Sequence, residues 1–102
     1  MRLTRKQIQC LTEATHSCFG ENAEIWLFGS RVDDAKKGGD IDLYIETDLK
    51  KGIVQAKLAM RSQIWDLFGE QKIDITVRKR NEEPNAFHKI AKATGVRLLP
   101  DK

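Results

Sequence analysis

The sequence predicts an α+β fold in which a small mixed β-sheet of three or four strands carries helices packed on one face. Short strand-like apolar runs alternate with longer stretches whose apolar residues recur at helical spacing. Because three or four strands cannot close into a barrel, an open sheet covered by helices on its apolar face is the simplest architecture. The length of 102 residues suits one small domain over residues 1–102. We expect the opposite sheet face to stay open.

The first half of the chain predicts a helix followed by two strands. Apolar residues at helical spacing follow Thr4, a suitable N-cap, and continue to Gly20, which is placed to end the helix. The almost wholly apolar run 24–28 is typical of a central strand covered on both faces. A Gly-Ser pair ends that strand and predicts a short helix over 31–35, before a second strand over 40–46.

The second half predicts a long helix, a third strand, a last helix and a short edge strand. The long helix should begin at a cap formed by Thr47 or Asp48, and the last helix should begin at Pro84. The predicted ranges are roughly 49–68, 72–78, 84–94 and 96–99. Four large aromatic side chains are expected in the core: Trp26, Phe28, Trp65 and Phe68.

Composition and charge limit the classes of function. The chain has 18 Lys+Arg against 15 Asp+Glu, which gives a net charge of +3. This mild charge suits an anionic small ligand. It permits a nucleic-acid partner but does not indicate one. No apolar run is long enough to span a membrane, and no signal peptide is visible. Cys10 and Cys18 lie too far apart on the first helix for a disulfide, so we expect free thiols in a reducing cytoplasm.

Carboxylates on neighbouring strands are expected to share one face of the sheet. Alternate residues of a strand lie on the same face, so Asp40 and Asp42 lie together, and Asp74 begins the outward face of the third strand. Such clusters suit Mg²⁺ or Mn²⁺, and two ions about 4 Å apart can hold the attacking and leaving oxygens of a phosphoryl transfer. Like charges would otherwise repel, which favours a metal site over a plain polar face. Glu46 is farther along the strand and is expected at the surface.

The turn between the first two strands has the residue types that bind phosphate. Gly29 has no Cβ, so the backbone can approach a phosphate closely. Ser30 adds a hydroxyl donor at a helix N-terminus, where anions bind readily; it can also be a plain N-cap, and neither role excludes the other. Arg31 could neutralise charge on a leaving pyrophosphate.

The combined pattern resembles the nucleotidyltransferase superfamily of DNA polymerase beta. It consists of Gly29-Ser30, a nine-residue gap, Asp40-Ile41-Asp42 and a later strand residue, Asp74. The short chain is similar to the minimal nucleotidyltransferases of that superfamily. The resemblance implies transfer of a nucleoside monophosphate, AMP from ATP being the expected case, to an acceptor hydroxyl with release of pyrophosphate. The resemblance implies that Asp40, Asp42 and Asp74 bind two Mg²⁺ or Mn²⁺ ions and carry out catalysis. It also implies that Gly29 and Ser30 bind the phosphates. Arg31, next to them in the sequence, is the third residue that we expect to contact the nucleotide.

The resemblance also carries expectations about partners. Many minimal members are similar to antitoxins encoded beside a helical HEPN-domain toxin, which some of them modify with AMP. Larger relatives carry a second domain for the base and acceptor, so this short chain is expected to use a HEPN-type helical partner protein or a homodimer. The alternative interpretation is a non-catalytic, antitoxin-like binding subunit on the same fold. The complete set of three acids favours the enzyme.

Overall fold

The computed structural model describes residues 5–28, 41–69 and 73–99 of the chain. Within these ranges the elements are α1 (Arg5–Phe19), β1 (Glu24–Phe28), β2 (Ile41–Thr47), α2 (Ile53–Phe68), β3 (Ile73–Lys79), α3 (Ala86–Thr94) and β4 (Val96–Leu98). The predicted α+β class and the order of these elements are confirmed. The predicted Thr4 cap and the short helix over 31–35 lie outside the described residues. None of the described helices is long and apolar enough to cross a bilayer.

The strands of the described ranges form one mixed sheet in the order β3-β2-β1-β4. The central strand β1 runs antiparallel to both β2 and β4. By contrast, β2 and β3 are parallel, and α2 is the crossover connection that a parallel pair requires. The apolar run 24–28 therefore became a central strand, and the predicted edge strand near the C-terminus is confirmed as β4.

The main core lies between the sheet and the helices α1 and α2. From β2, the side chains of Ile41, Leu43 and Ile45 are fully buried on this face. They meet Phe19 of α1 and Met60 of α2 in the same cluster. Full burial of side chains of this size contributes roughly 1.5–3 kcal/mol each. Strand alternation therefore predicts correctly which side chains of β2 face the two helices.

The end of β2 is tied to the end of α1 by a buried threonine. The Thr47 hydroxyl donates a hydrogen bond to the Phe19 carbonyl oxygen at 2.6 Å and accepts one from the Leu49 backbone N–H at 3.0 Å. The sequence predicts Thr47 or Asp48 as the cap of the long helix, and the structure shows that this prediction is wrong for both residues. The helix α2 begins after Gly52, whose φ of 76° is a conformation that favours glycine.

The helix α3 covers part of the second sheet face, which the sequence pattern had left open. Its Ala91 packs with Trp26 and Tyr44 in a second cluster of buried residues. It begins after Asn85 rather than at Pro84, because the Asn85 side chain accepts a hydrogen bond from the His88 backbone N–H at 2.8 Å. The second face is therefore divided into a covered part beneath α3 and a remaining part toward the start of β2 and β3.

The core predictions for the large aromatic residues had mixed outcomes. Trp26 is buried and Phe28 is partly buried. Trp65 is 40% exposed, so its assignment to the core is wrong. The apolar stripe of α2 is wider than the surface it packs against, and Val54 and Leu58 are exposed as well. The Phe68 side chain lies outside what the structure describes. Cys10 and Cys18 are free thiols, as predicted.

Candidate functional site

A row of three side chains crosses the sheet where β2 and β3 begin. Phe28, the last residue of β1, lies opposite Asp42 in the antiparallel pairing. Asp42 in turn lies beside Asp74 in the parallel pairing of β2 and β3. Residues paired in this way place their side chains on the same face, with Cβ atoms of directly opposed residues about 4.5–5.5 Å apart. Two of the three predicted metal ligands are therefore neighbours on adjacent strands.

This part of the sheet face is accessible. Asp42 is partly buried and Asp74 is exposed, although the next residue on each side of Asp74 is buried in the main core. The alternation predicted for the third strand is confirmed, because Ile73 and Ile75 face the core and Asp74 faces away. A solvated cation can therefore reach the carboxylates without displacing the core.

The donor chemistry of the pair fits Mg²⁺ or Mn²⁺. These ions prefer carboxylate oxygen and complete their coordination with water and substrate phosphate. Over residues 5–28, 41–69 and 73–99, no group of three or more His, Cys, Asp or Glu could hold a metal ion. The third predicted ligand, Asp40, directly precedes β2 in the sequence and lies outside the described residues. The predicted nucleotide-binding residues Gly29, Ser30 and Arg31 also lie outside them.

A third carboxylate of the same face, Glu46, is buried rather than at the surface. Its side chain accepts a hydrogen bond from the Tyr44 hydroxyl at 2.6 Å. It forms ion pairs with Arg78 at 3.3 Å and with Lys92 at 3.4 Å. The surface prediction was wrong because α3 covers this position and contributes Lys92, while the parallel register places Arg78 beside Glu46. The same register that pairs the two aspartates thus pairs an acid with a base four residues later.

The protonation states of this cluster follow from its surroundings. Burial alone would raise the pKa of Glu46, but the Tyr44 hydrogen bond and the charges of Lys92 and Arg78 hold that pKa below its ordinary value. Burial, followed by the adjacent carboxylate, raises the pKa of Tyr44 well above its ordinary value. Near neutral pH Glu46 is therefore ionised and Tyr44 protonated. The ion pair between Glu46 and Lys92 stabilises the packing of α3 on the sheet.

Two side chains of α3, Lys92 and His88, contact the neighbouring Trp26 and Tyr44 rings of the sheet. The Trp26 and Tyr44 ring centres lie 5.4 Å apart, and Lys92 lies over the Trp26 ring at 5.1 Å. The His88 ring lies 5.6 Å from the Tyr44 ring. Its Nδ1 also accepts a hydrogen bond from the Asn85 backbone N–H, which completes a capping box. The sequence alone predicts that His88 is an ordinary helix residue, because no acid or cysteine lies near it in the sequence.

The first turn of α3 also brings an aromatic residue to the row of Phe28, Asp42 and Asp74. The Phe87 ring meets the Phe28 ring edge-on, with centres 5.6 Å apart and an angle of 77° between the planes. Sequence reasoning missed Phe87, because only the packing of α3 on the second sheet face places it there.

A model of the nucleotidyltransferase domain family matches residues 9–95. The matched range contains β1, β2, α2, β3 and α3 entirely, together with every predicted site residue. No curated protein matches the chain.

Proposed function

Because the chain belongs to the nucleotidyltransferase domain family, we propose that it moves a nucleoside monophosphate, AMP from ATP, onto an acceptor hydroxyl. One observation carries the proposal. Asp42 and Asp74 stand in register on two neighbouring parallel strands, on the accessible part of the sheet face. Two adjacent carboxylates in such a place supply the oxygen ligands that Mg²⁺ and Mn²⁺ prefer.

The proposed metal ligands are Asp40, Asp42 and Asp74. The ions would supply positive charge to the phosphates and make the acceptor hydroxyl easier to deprotonate. Asp74, on the more exposed strand of the pair, is proposed to orient the acceptor hydroxyl and help remove its proton. Asp42 lies between Asp74 and β1, and is proposed to hold the side of the site nearer the phosphates.

The proposed transfer exchanges one phosphorus–oxygen bond for another. The acceptor oxygen forms a bond to the α-phosphorus as its proton leaves. The bond from the α-phosphorus to the oxygen that bridges to the β-phosphate breaks, and pyrophosphate departs with that electron pair. Gly29 and Ser30 are proposed to bind the β- and γ-phosphates through backbone and hydroxyl donors, and Arg31 to offset the charge of the pyrophosphate.

We propose that the acceptor is on a helical, HEPN-type partner protein of a toxin–antitoxin-like pair. Support comes from the family resemblance and from the surface of α2. There, Val54, Leu58 and Trp65 expose 65%, 57% and 40% of their surfaces, as is common where proteins meet. The same observation favours the second candidate function, a subunit that blocks its partner by contact alone.

Transfer of label from ATP separates the two candidates. The chain is incubated with Mg²⁺, ATP labelled at the α-phosphate and the product of the adjacent gene. We expect label on that protein with the wild type, no label with Asp42→Asn, and normal label with Asp66→Asn, an exposed carboxylate on α2. If the partner is neutralised equally by wild type and Asp42→Asn with no label in either, only the binding function stands.

A further inference from the structure

Two phenylalanine rings lie next to the carboxylates of the proposed metal site. Phe28 is directly paired with Asp42, so its side chain lies on the same face and in the same row. Phe87 packs edge-on against Phe28 from the first turn of α3. Although it makes this contact, 44% of Phe87 remains exposed. An aromatic surface is therefore open to solvent at the edge of the site.

The position of Phe87 is fixed before any ligand arrives. The next residue, His88, is held by the capping box with Asn85 and by its contact with the Tyr44 ring. At the other end of α3, Lys92 is paired with the buried Glu46. A surface that is already ordered binds a ligand without the entropy cost of arranging it.

The spacing suits a nucleotide. Phe28 and Asp42 occupy directly opposed positions, where Cβ atoms lie about 5 Å apart. The centres of the Phe87 and Phe28 rings lie 5.6 Å apart. A nucleotide whose phosphates lie at the carboxylates has its ribose and base next to this pair of rings, because Phe28 is the direct neighbour of Asp42.

We propose that Phe87, supported by Phe28, is the stacking surface for the base of the nucleotide; this inference rests on the proposed function. A phenylalanine ring offers a π-face and no hydrogen-bonding groups, so it can stack on any nucleotide base. The surface therefore distinguishes nucleotides from inorganic polyphosphates. It does not distinguish adenine from guanine.

The experiment compares the dissociation constants of ATP and of inorganic tripolyphosphate, measured by calorimetry in the presence of Mg²⁺ on the full chain. Both ligands use the phosphate site, but only ATP has a base. In Phe87→Ala and Phe87→Leu, we expect ATP to bind roughly 5- to 150-fold more weakly, while tripolyphosphate binds as to the wild type. Phe87→Trp should retain the preference for ATP. Ile90→Ala, which shortens another exposed apolar residue of α3, should change neither constant.

The other outcomes overturn the inference, and they show whether the proposed function fails with it. If Phe87→Leu leaves ATP binding unchanged, or weakens both ligands equally, Phe87 only packs α3 onto the sheet and the proposed function stands. If the wild type binds neither ligand, the phosphate site itself is absent and the proposed function fails with the stacking surface.

Discussion

Replacing Glu46 with glutamine tests the cluster that holds α3 against the sheet. Glutamine has nearly the same shape, but it cannot carry the negative charge that Arg78 and Lys92 face. The hydrogen bond from the Tyr44 hydroxyl to an ionised oxygen is worth roughly 1.5–3 kcal/mol, and its neutral replacement is weaker. Loss of one member of a fully buried ion pair costs about 3–5 kcal/mol.

The expected loss is smaller than that upper figure, because the Lys92 side chain is 51% exposed and can turn toward water. The Arg78 side chain also donates a hydrogen bond to the Glu82 backbone oxygen and keeps that partner. We therefore expect Glu46→Gln to lower the free energy of unfolding by about 2–3 kcal/mol, which for a domain of this size lowers the melting temperature by roughly 10–20 °C.

The effect should depend on pH in a defined direction. The folded-state pKa of Glu46 lies below its ordinary value of 4.5, so its ionised form stabilises the fold. That stability is complete above pH 4.5 and disappears as the pH falls through the folded-state pKa. The difference in unfolding free energy between wild type and Glu46→Gln should therefore be constant near neutral pH and shrink in acid.

Urea unfolding followed by tryptophan fluorescence measures this difference, and Trp26 lies directly on the cluster. The control is Glu82→Gln, whose exposed pair with Lys79 at 3.8 Å should contribute less than about 1 kcal/mol. A Glu46→Gln protein as stable as the wild type at pH 7 would refute the reasoning. So would a difference that stays the same from pH 7 to the acid range.

Other substitutions test the fold around the site by thermal or urea unfolding. Gly95→Ala places a Cβ 2.6 and 3.0 Å from two backbone oxygens, so we expect a loss of about 1–3 kcal/mol; unchanged stability would contradict this close approach. Thr47→Val leaves the buried Phe19 carbonyl without its donor and should cost about 1–3 kcal/mol; unchanged stability would show that this hydrogen bond does not stabilise the fold. Met60→Ala should cost about 2–5 kcal/mol, whereas Leu58→Ser should change stability by less than about 0.5 kcal/mol; equal effects would contradict their assigned burial.

The order of elements and the pairing of the two aspartates follow from local patterns. Alternation assigns Asp42 and Asp74 to the face opposite the main core, and each follows the first residue of its strand. Once β2 and β3 run parallel, equal positions in the two strands become neighbours. The apolar crossover α2 between them favours that parallel arrangement.

The sequence pattern failed where contacts join distant parts of the chain. Alternation placed Glu46 on the second face, but it could not show that α3 would cover that position and supply Lys92. Helical spacing included Trp65 in the apolar stripe of α2, but the width of the surface that α2 meets is a tertiary property. The contact of Phe87 with Phe28 has the same origin, since it depends on where α3 rests.

Binding of Mn²⁺ tests the central claim most directly, because it requires neither acceptor nor turnover. The measurement is the loss of the free Mn²⁺ paramagnetic resonance signal as protein is added without nucleotide, because nucleotide phosphates bind Mn²⁺ themselves. We expect Asp42→Asn and Asp74→Asn each to weaken Mn²⁺ binding by more than roughly tenfold, a loss seen even for partners outside the ligand shell. Asp66→Asn should bind as the wild type does. If Asp42→Asn and Asp74→Asn hold Mn²⁺ as tightly as the wild type, the two paired aspartates are not its ligands.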